Sequence, residues 1–180
     1  MKYIKHRIEL IKLLPPNPVA VEVGVAEGMF SRDLLEHGVS KLYSVDNWGH
    51  IPNTRGDGNF EDEWHQKNYE KAISLLTPFG ERSVILRGMS MEMAKQIPDN
   101  SLDLFYHDAN HSYEGVKSDL EAYWPKVKLG GVLAGHDYLC TDYQVKQAVD
   151  DFILSLNEKP TVCVIPETHV NDAGFYFIKL

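Results

Sequence analysis

Two short stretches of the sequence concentrate side chains that could bind a metal ion or move a proton. One reads His107-Asp108-Ala-Asn-His111 and the other reads Gly-His136-Asp137-Tyr. Asp108 and Asp137 are candidate ligands for a hard divalent cation such as Mg²⁺, and the histidines could also recruit Zn²⁺ or Fe²⁺. His111, with Asp108 beside it, is the candidate catalytic base, because imidazole titrates near neutral pH. The alternative is structural: both aspartates could cap helices, and His107 could be a core histidine satisfied by its neighbours.

A segment of small residues precedes these stretches and indicates a ligand that approaches the backbone closely. Gly24, Ala26 and Gly28 alternate with other residues directly after a β-branched run. The segment departs from the dinucleotide fingerprint, since alanine holds the second glycine position and the large Met29 the third. We therefore expect a ligand without a pyrophosphate, which lies here by its ribose or a charged tail. A plain strand-to-helix turn is the alternative.

Further candidate ligand contacts follow the next two predicted strands. Asp46 ends the second strand, where a carboxylate can accept hydrogen bonds from a ribose diol. Trp48 could cover an adenosine ring or simply pack in the core. Met89 and Ser90 follow the third strand, where the edge of an adenine would lie, although Ser90 could instead cap the next helix.

The hydrophobic pattern predicts an α/β fold in which strands alternate with helices around a mostly parallel sheet. The predicted strands are 19–24, 41–46, 83–86, 102–107, 131–135, 162–165 and 175–178. The predicted helices are 28–37, 61–76, 90–96, 112–124 and 142–156, with an amino-terminal helix within residues 1–16. The link between the last two strands is too short for a crossover helix, so one of them should be antiparallel. Residues 47–60 form a polar, glycine-containing loop that could act as a lid.

Length and charge narrow the classes of function. The 180 residues predict one domain, and the net charge of −8 disfavours nucleic acid or an anionic membrane surface as the main partner. No stretch free of Asp, Glu, Lys and Arg exceeds nine residues, which excludes a typical membrane span. Two cysteines without a C-x-x-C pair and the charged amino end predict a cytoplasmic protein. The sequence does not decide whether the protein forms a homodimer.

Four motifs together resemble those of class I S-adenosylmethionine-dependent methyltransferases. They are V-E-V-G-V-A-E-G at 21–28, S-V-D-N-W at 44–48, S-L-D-L-F-Y-H-D-A-N-H-S-Y-E-G-V-K-S-D-L at 101–120, and G-G-V-L-A-G-H-D-Y at 130–138. The last two are the more specific, and they are similar to a subgroup of macrocin-type and cephalosporin-hydroxylase-like proteins. The chain is more distantly similar to metal-dependent catechol and caffeoyl-coenzyme A O-methyltransferases.

The resemblance implies a Rossmann-like, doubly wound sheet of seven strands with the last antiparallel. It places Glu22, Gly24 and Gly28 against the methionine part of the cofactor, Asp46 at its ribose, and Met89 and Ser90 at its adenine. Asp108 and Asp137 match two metal-ligand positions and Asp108 also borders the cofactor, whereas Tyr138 occupies the place of a third ligand. His111 stands where plant relatives carry a lysine near the substrate oxygen.

These observations predict methyl transfer from S-adenosylmethionine to a hydroxyl oxygen of a small molecule, with the possible help of Mg²⁺ or another divalent metal. Two alternatives belong to other classes. One is a module that binds S-adenosylmethionine without catalysis. The other is a metal-dependent hydrolase or oxygenase that uses the histidine and aspartate residues.

Overall fold

The computed structural model describes residues 4–52, 56–166 and 173–180, and it contains a seven-stranded sheet in the order β3-β2-β1-β4-β5-β7-β6. The strands are β1 (Val19–Val23), β2 (Lys41–Asp46), β3 (Ser83–Arg87), β4 (Leu102–His107), β5 (Val127–Gly135), β6 (Cys163–Ile165) and β7 (Gly174–Ile178). Strands β3, β2, β1, β4 and β5 are mutually parallel, while β7 runs antiparallel to both of its neighbours. This order and the antiparallel last strand confirm the predicted fold class.

Helices cover both faces of the sheet. They are α1 (Met29–Glu36), α2 (Asp62–Leu76), α3 (Ser90–Ala94), α4 (Tyr113–Tyr123) and α5 (Val145–Ser155). Because side chains alternate along a strand, Leu104 of β4 joins the core cluster under α1 and α2, whereas Phe105 joins the cluster under α3, α4 and α5. All six residues of β4 are buried, as expected for a central parallel strand.

The amino-terminal segment differs from its prediction. It forms a 3-10 helix over Arg7–Leu13 rather than an α-helix. Ile8, Ile11 and Leu14 recur every three residues, which is the period of a 3-10 helix. The fully buried Leu10 anchors this helix in the core cluster that also contains side chains of α1.

Several element boundaries also differ from the sequence pattern. Strand β5 begins four residues before the predicted 131, and its pairing with β4 shifts register between Leu102 and Leu104. Helix α5 begins at Val145 rather than at 142, because the Gln144 N–H donates to the carbonyl of His111 and keeps the preceding loop outside the helix. Helix α3 ends at Ala94, two residues before the predicted end.

The proposed lid, residues 47–60, lies partly outside the described residues. Its described part is fixed at the base: the Ile51 N–H donates to the Gly58 carbonyl and the His50 N–H to the Asp62 carboxylate. Among the described residues, no helix has both the length and the apolar character that crossing a bilayer would require.

Candidate functional site

The hydrogen-bond ladder of the sheet continues past the strands and aligns the segments that follow them. The Gly24 N–H donates to the Val45 carbonyl, the Asp108 N–H to Val23, and the His136 N–H to His107. The residues that follow β1, β4 and β5 therefore lie side by side at the carboxyl edge of the sheet. Ligands bind at this edge in open α/β sheets.

The segment 24–28, here called the glycine turn, requires its small residues. Gly24, Ala26 and Gly28 all have positive φ angles, of 90°, 48° and 85°. A Cβ on Gly24 would lie 2.0 Å from the carbonyl oxygen of Asp108, so only glycine allows this close approach. The glycine turn and the segment after β4 are thus in direct backbone contact.

Asp46 organises the glycine turn from the end of β2. Its Oδ2 accepts hydrogen bonds from the backbone N–H groups of Val25 and Ala26 at 2.8 and 3.0 Å, and its Oδ1 accepts one from Trp48 at 2.8 Å. A carboxylate has roughly four lone-pair sites, so these three bonds leave capacity for another donor. This geometry permits the contact of Asp46 with a ribose, which stays a prediction.

Trp48 has a structural role beside the predicted one. Only 2% of the residue is exposed, and its indole N–H donates to the Ala26 carbonyl at 2.8 Å. The ring packs on Tyr69, with centroids 5.0 Å apart. Trp48 therefore supports the glycine turn from within the core, and its contact with an adenosine ring stays a prediction.

Met89 and Ser90 both lie at the start of α3, but Ser90 is not its cap. Met89 occupies the N-cap position, and Ser90 is the first helical residue, so that alternative is wrong. The Ser90 hydroxyl instead donates to the buried Asp119 carboxylate across the α3–α4 interface. Met89 is 54% exposed, which leaves it available to a ligand.

Asp108, His111 and Asp137 form one group of potential ligands, here called the edge cluster. One ligand atom from each lies within 4.8 Å of the other two. His111 Nε2 is 3.4 Å from Asp108 Oδ1 and 3.5 Å from Asp137 Oδ2. Ser112 caps α4 and so fixes where the helix begins after His111, while Asp137 adopts a left-handed φ of 56°.

Cationic groups surround the carboxylates of the edge cluster. Burial alone would raise the pKa of Asp108, but the close approach of His111 and the charges of His136, His111 and Arg7 hold the pKa below its ordinary value. Burial opposes protonation of His136, but the hydrogen bond of His136 to Asp137 and the charges of Asp108 and Asp137 raise the pKa of this histidine. His136 Nδ1 lies 3.1 Å from Asp137 Oδ1.

Glu22 lies below the edge rather than on it. It is 3% exposed, and its carboxylate accepts a hydrogen bond from Ser31. Burial is the main cause that raises the pKa of Glu22 to about 8, so the side chain is mostly protonated at neutral pH. Its predicted contact with the methionine part of a cofactor is not tested by this geometry.

His107 is a core residue whose ring faces the buried carboxylate of Asp119. It is fully buried, and its Nε2 lies 3.1 Å from Asp119 Oδ2, while its Nδ1 has no hydrogen-bond partner among the described residues. Tyr138 is not placed as a third metal ligand, because its hydroxyl donates to Asp150 at 2.6 Å. The third group beside Asp108 and Asp137 is His111.

Sequence reasoning missed two residues of this region. Arg7 reaches the edge cluster from the amino-terminal 3-10 helix, with its Nη1 3.4 Å from Asp108 Oδ2. No spacing rule connects residues 101 positions apart, so only the fold could show this contact. Asp119 joins Ser90 to His107, and a buried acid on the apolar face of a predicted helix was its available signal.

Comparisons with known proteins agree with this fold. Residues 21–138 match a family model described as a methyltransferase domain. The sequence matches no curated protein at a significant level.

Three solved structures show the same fold. The O-methyltransferase NovP has 21% identity, a TM-score of 0.67, and coverage of 96% of this chain and 75% of that one. A putative methyltransferase from Streptococcus mutans, solved with S-adenosylhomocysteine (SAH), has 16% identity, a TM-score of 0.68 and coverage of 98% and 99%. A putative rRNA methylase from Clostridium thermocellum has 14% identity, a TM-score of 0.69 and coverage of 100% and 99%. Because the family model matches more than half of its residues, the chain belongs to this family of methyltransferase domains.

Proposed function

We propose that this protein transfers a methyl group from S-adenosylmethionine to a hydroxyl oxygen of a small molecule at the edge cluster. One observation carries the proposal. Gly24 packs so closely on the Asp108 carbonyl that the glycine turn and the edge cluster are contiguous. A methyl donor held at the turn and an acceptor held at the cluster would meet there, and such positioning supplies much of the rate in a transfer reaction.

The cofactor would lie across the ends of β1, β2 and β3. Asp46 would accept hydrogen bonds from its ribose hydroxyls while it holds the glycine turn. Met89 and Ser90 would border the adenine, and Glu22, in its protonated form, would border the methionine part together with Gly24 and Gly28. The solved relative with SAH and the name of NovP support this cofactor and an oxygen acceptor.

His111 would remove the proton of the acceptor hydroxyl. Its Nε2 faces two carboxylates at 3.4 and 3.5 Å, and both would stabilise the imidazolium that forms. As an alternative to His111 as the base, Asp108 and Asp137 would hold a divalent cation, because two carboxylates and an imidazole within 4.8 Å match the oxygen and nitrogen donors that Mg²⁺ or Zn²⁺ accept. His111 Nε2 would then be a metal ligand and could not accept the proton. A bound metal would lower the pKa of the acceptor hydroxyl and orient it.

The net charge bears on the class of acceptor. A net charge of −8 favours a small acceptor over RNA, even though one structural relative is a putative rRNA methylase. The cytoplasmic location and a homodimer stay predictions. Ile4 and Leu10 of the amino-terminal segment are buried in the chain's own core, so these two side chains are not available to a dimer interface.

The proposal is tested by SAH formation from S-adenosylmethionine with a panel of small hydroxyl compounds, and with RNA as a separate acceptor. We expect turnover with small acceptors, a kcat about 10²–10⁴-fold lower in His111→Ala, and a loss with EDTA or Asp137→Asn. His37→Ala and Asp99→Asn, at exposed positions, are the controls. Activity that survives both EDTA and His111→Ala would remove both routes for the proton, and methylation of RNA alone would contradict the acceptor class. Binding without any turnover would leave a cofactor-binding module instead.

A further inference from the structure

Arg7 connects the amino-terminal 3-10 helix to the edge of the sheet. Its guanidinium carbon lies 4.7 Å from the ring centroid of Phe30, in the first turn of α1, and its Nη1 lies 3.4 Å from Asp108 Oδ2. Arg7 therefore contacts both α1, which follows the glycine turn, and the segment after β4. With 31% of its side chain exposed, the cation remains accessible from solvent.

The position of Arg7 relative to the rest of the site limits which part of a cofactor could reach it. If the ribose of the cofactor lies at Asp46 and its methyl group points to the edge cluster, the amino-acid tail must extend over the glycine turn towards α1 and β4. Carboxylates already stand near this path at Asp46 and Asp108, and they would repel the carboxylate of the tail. The Arg7 guanidinium would offset that repulsion.

We propose that Arg7 binds the α-carboxylate of S-adenosylmethionine. The inference rests on the proposed function and adds a residue to it. Guanidinium forms charge-assisted, often bidentate hydrogen bonds with carboxylates, and it stays charged at every physiological pH. Phe30 holds the guanidinium in place by a cation–π contact, and Asp108 orients it.

A purely structural role would look different in binding measurements. If Arg7 only supported the fold, its loss would change the affinity for all forms of the cofactor by the same factor. If it only neutralised Asp108, Arg7→Lys, which retains the charge, would keep the full preference for the carboxylate. If it contacts the carboxylate, its loss should matter only for ligands that carry this group. S-adenosylmethionine and its decarboxylated analogue differ by that group and share the sulfonium, the ribose and the adenine.

The experiment measures the Kd of both ligands by calorimetry for the wild-type protein, Arg7→Gln, Arg7→Lys and Lys12→Gln. Lys12 is a matched control, because it lies on the same 3-10 helix and pairs with Glu9 away from the site. We expect Arg7→Gln to raise the Kd of S-adenosylmethionine by about 10-fold or more, since a hydrogen bond between charged groups contributes on this scale. The Kd of the decarboxylated analogue should not change. Arg7→Lys should lose less affinity for S-adenosylmethionine, and Lys12→Gln should lose none.

Two results would overturn the proposal. Equal weakening of both ligands in Arg7→Gln would assign Arg7 a structural role, and an unchanged preference for S-adenosylmethionine would place the carboxylate elsewhere. Arg7→Lys, which retains the charge, provides the comparison if Arg7→Gln unfolds. Failure of the wild-type protein to bind either ligand would instead contradict the proposed cofactor, and the role of Arg7 with it.

Discussion

At the scale of single residues, Glu22 is a carboxylic acid that the fold withdraws from water. Its pKa rises from 4.5 to about 8, chiefly through burial. Below pH 4.5 the folded and unfolded chains are both protonated at this group. Between pH 4.5 and 8 the folded chain keeps a proton that the unfolded chain releases, so the contribution of Glu22 to stability falls as the pH rises.

Glu22→Gln should therefore stabilise the protein, and the gain should grow with pH. The expected slope is about 1.4 kcal/mol for each pH unit between pH 5 and 8, with a plateau above it. Urea unfolding of both proteins at several pH values measures this difference. Glu36→Gln, at an exposed position on α1, is the control and should show no such trend. A pH-independent difference for Glu22→Gln would contradict the raised pKa.

Ser90 and Asp119 make a second testable contact between buried groups. Ser90→Ala removes the hydroxyl that donates to the Asp119 carboxylate and leaves this acid with fewer partners. We expect a loss of about 1–3 kcal/mol in the free energy of unfolding. Ser118→Ala is the matched control, because its hydroxyl only bonds back to Gly115 within α4, and it should cost far less. Equal losses in the two variants would show that the Asp119 contact does not stabilise the fold.

At the scale of elements, the glycine turn depends on backbone contact rather than on flexibility. Gly24→Ala would place a methyl group 2.0 Å from the Asp108 carbonyl oxygen, in a backbone with φ of 90°. Gly38→Ala meets nothing within 4 Å at a φ of 106°, so it carries only the left-handed strain. We expect a loss of about 1–2 kcal/mol for Gly38→Ala and a clearly larger one for Gly24→Ala, as measured by denaturant unfolding. Similar stabilities would contradict the close packing of the turn on β4.

The lid prediction also belongs to the element scale. The loop 47–60 is joined to the start of α2 by the hydrogen bond from the His50 N–H to the Asp62 carboxylate. If it closes over the substrate, saturating SAH should slow its cleavage by a protease, as followed by mass spectrometry. Cleavage at an unchanged rate would mean that the loop stays open.

The same scale shows what sequence patterns could and could not predict. Strand periodicity predicted the strands, and the short final link predicted that one of the last two is antiparallel, because both express local rules. That it is the last strand, β7, was implied by the family resemblance. The residues after the strands were found because the carboxyl ends of parallel strands share one edge. Arg7 and Asp119 were missed, since their contacts join segments far apart in the chain. The amino-terminal segment was assigned the wrong helix type because 3-10 and α periods differ little over seven residues.

At the scale of the whole molecule, a ligand that binds only the folded state must raise its stability. SAH at about 100 times its Kd should add about 2.7 kcal/mol, or about 5–10 °C in Tm for a chain of this size. NAD should have no effect, since the glycine turn lacks the spacing that cradles a pyrophosphate. Differential scanning fluorimetry checks both expectations. Stabilisation by NAD instead of SAH would assign the chain to another class of nucleotide-binding protein.

A crystal structure of the protein with SAH tests the central claim most directly. The account predicts the ribose hydroxyls within hydrogen-bond distance of Asp46, the sulfur beside Asp108 and His111, and the carboxylate against Arg7. A ligand bound away from the carboxyl edge of β1, β2 and β4, or an edge closed by side chains at saturating SAH, would contradict it.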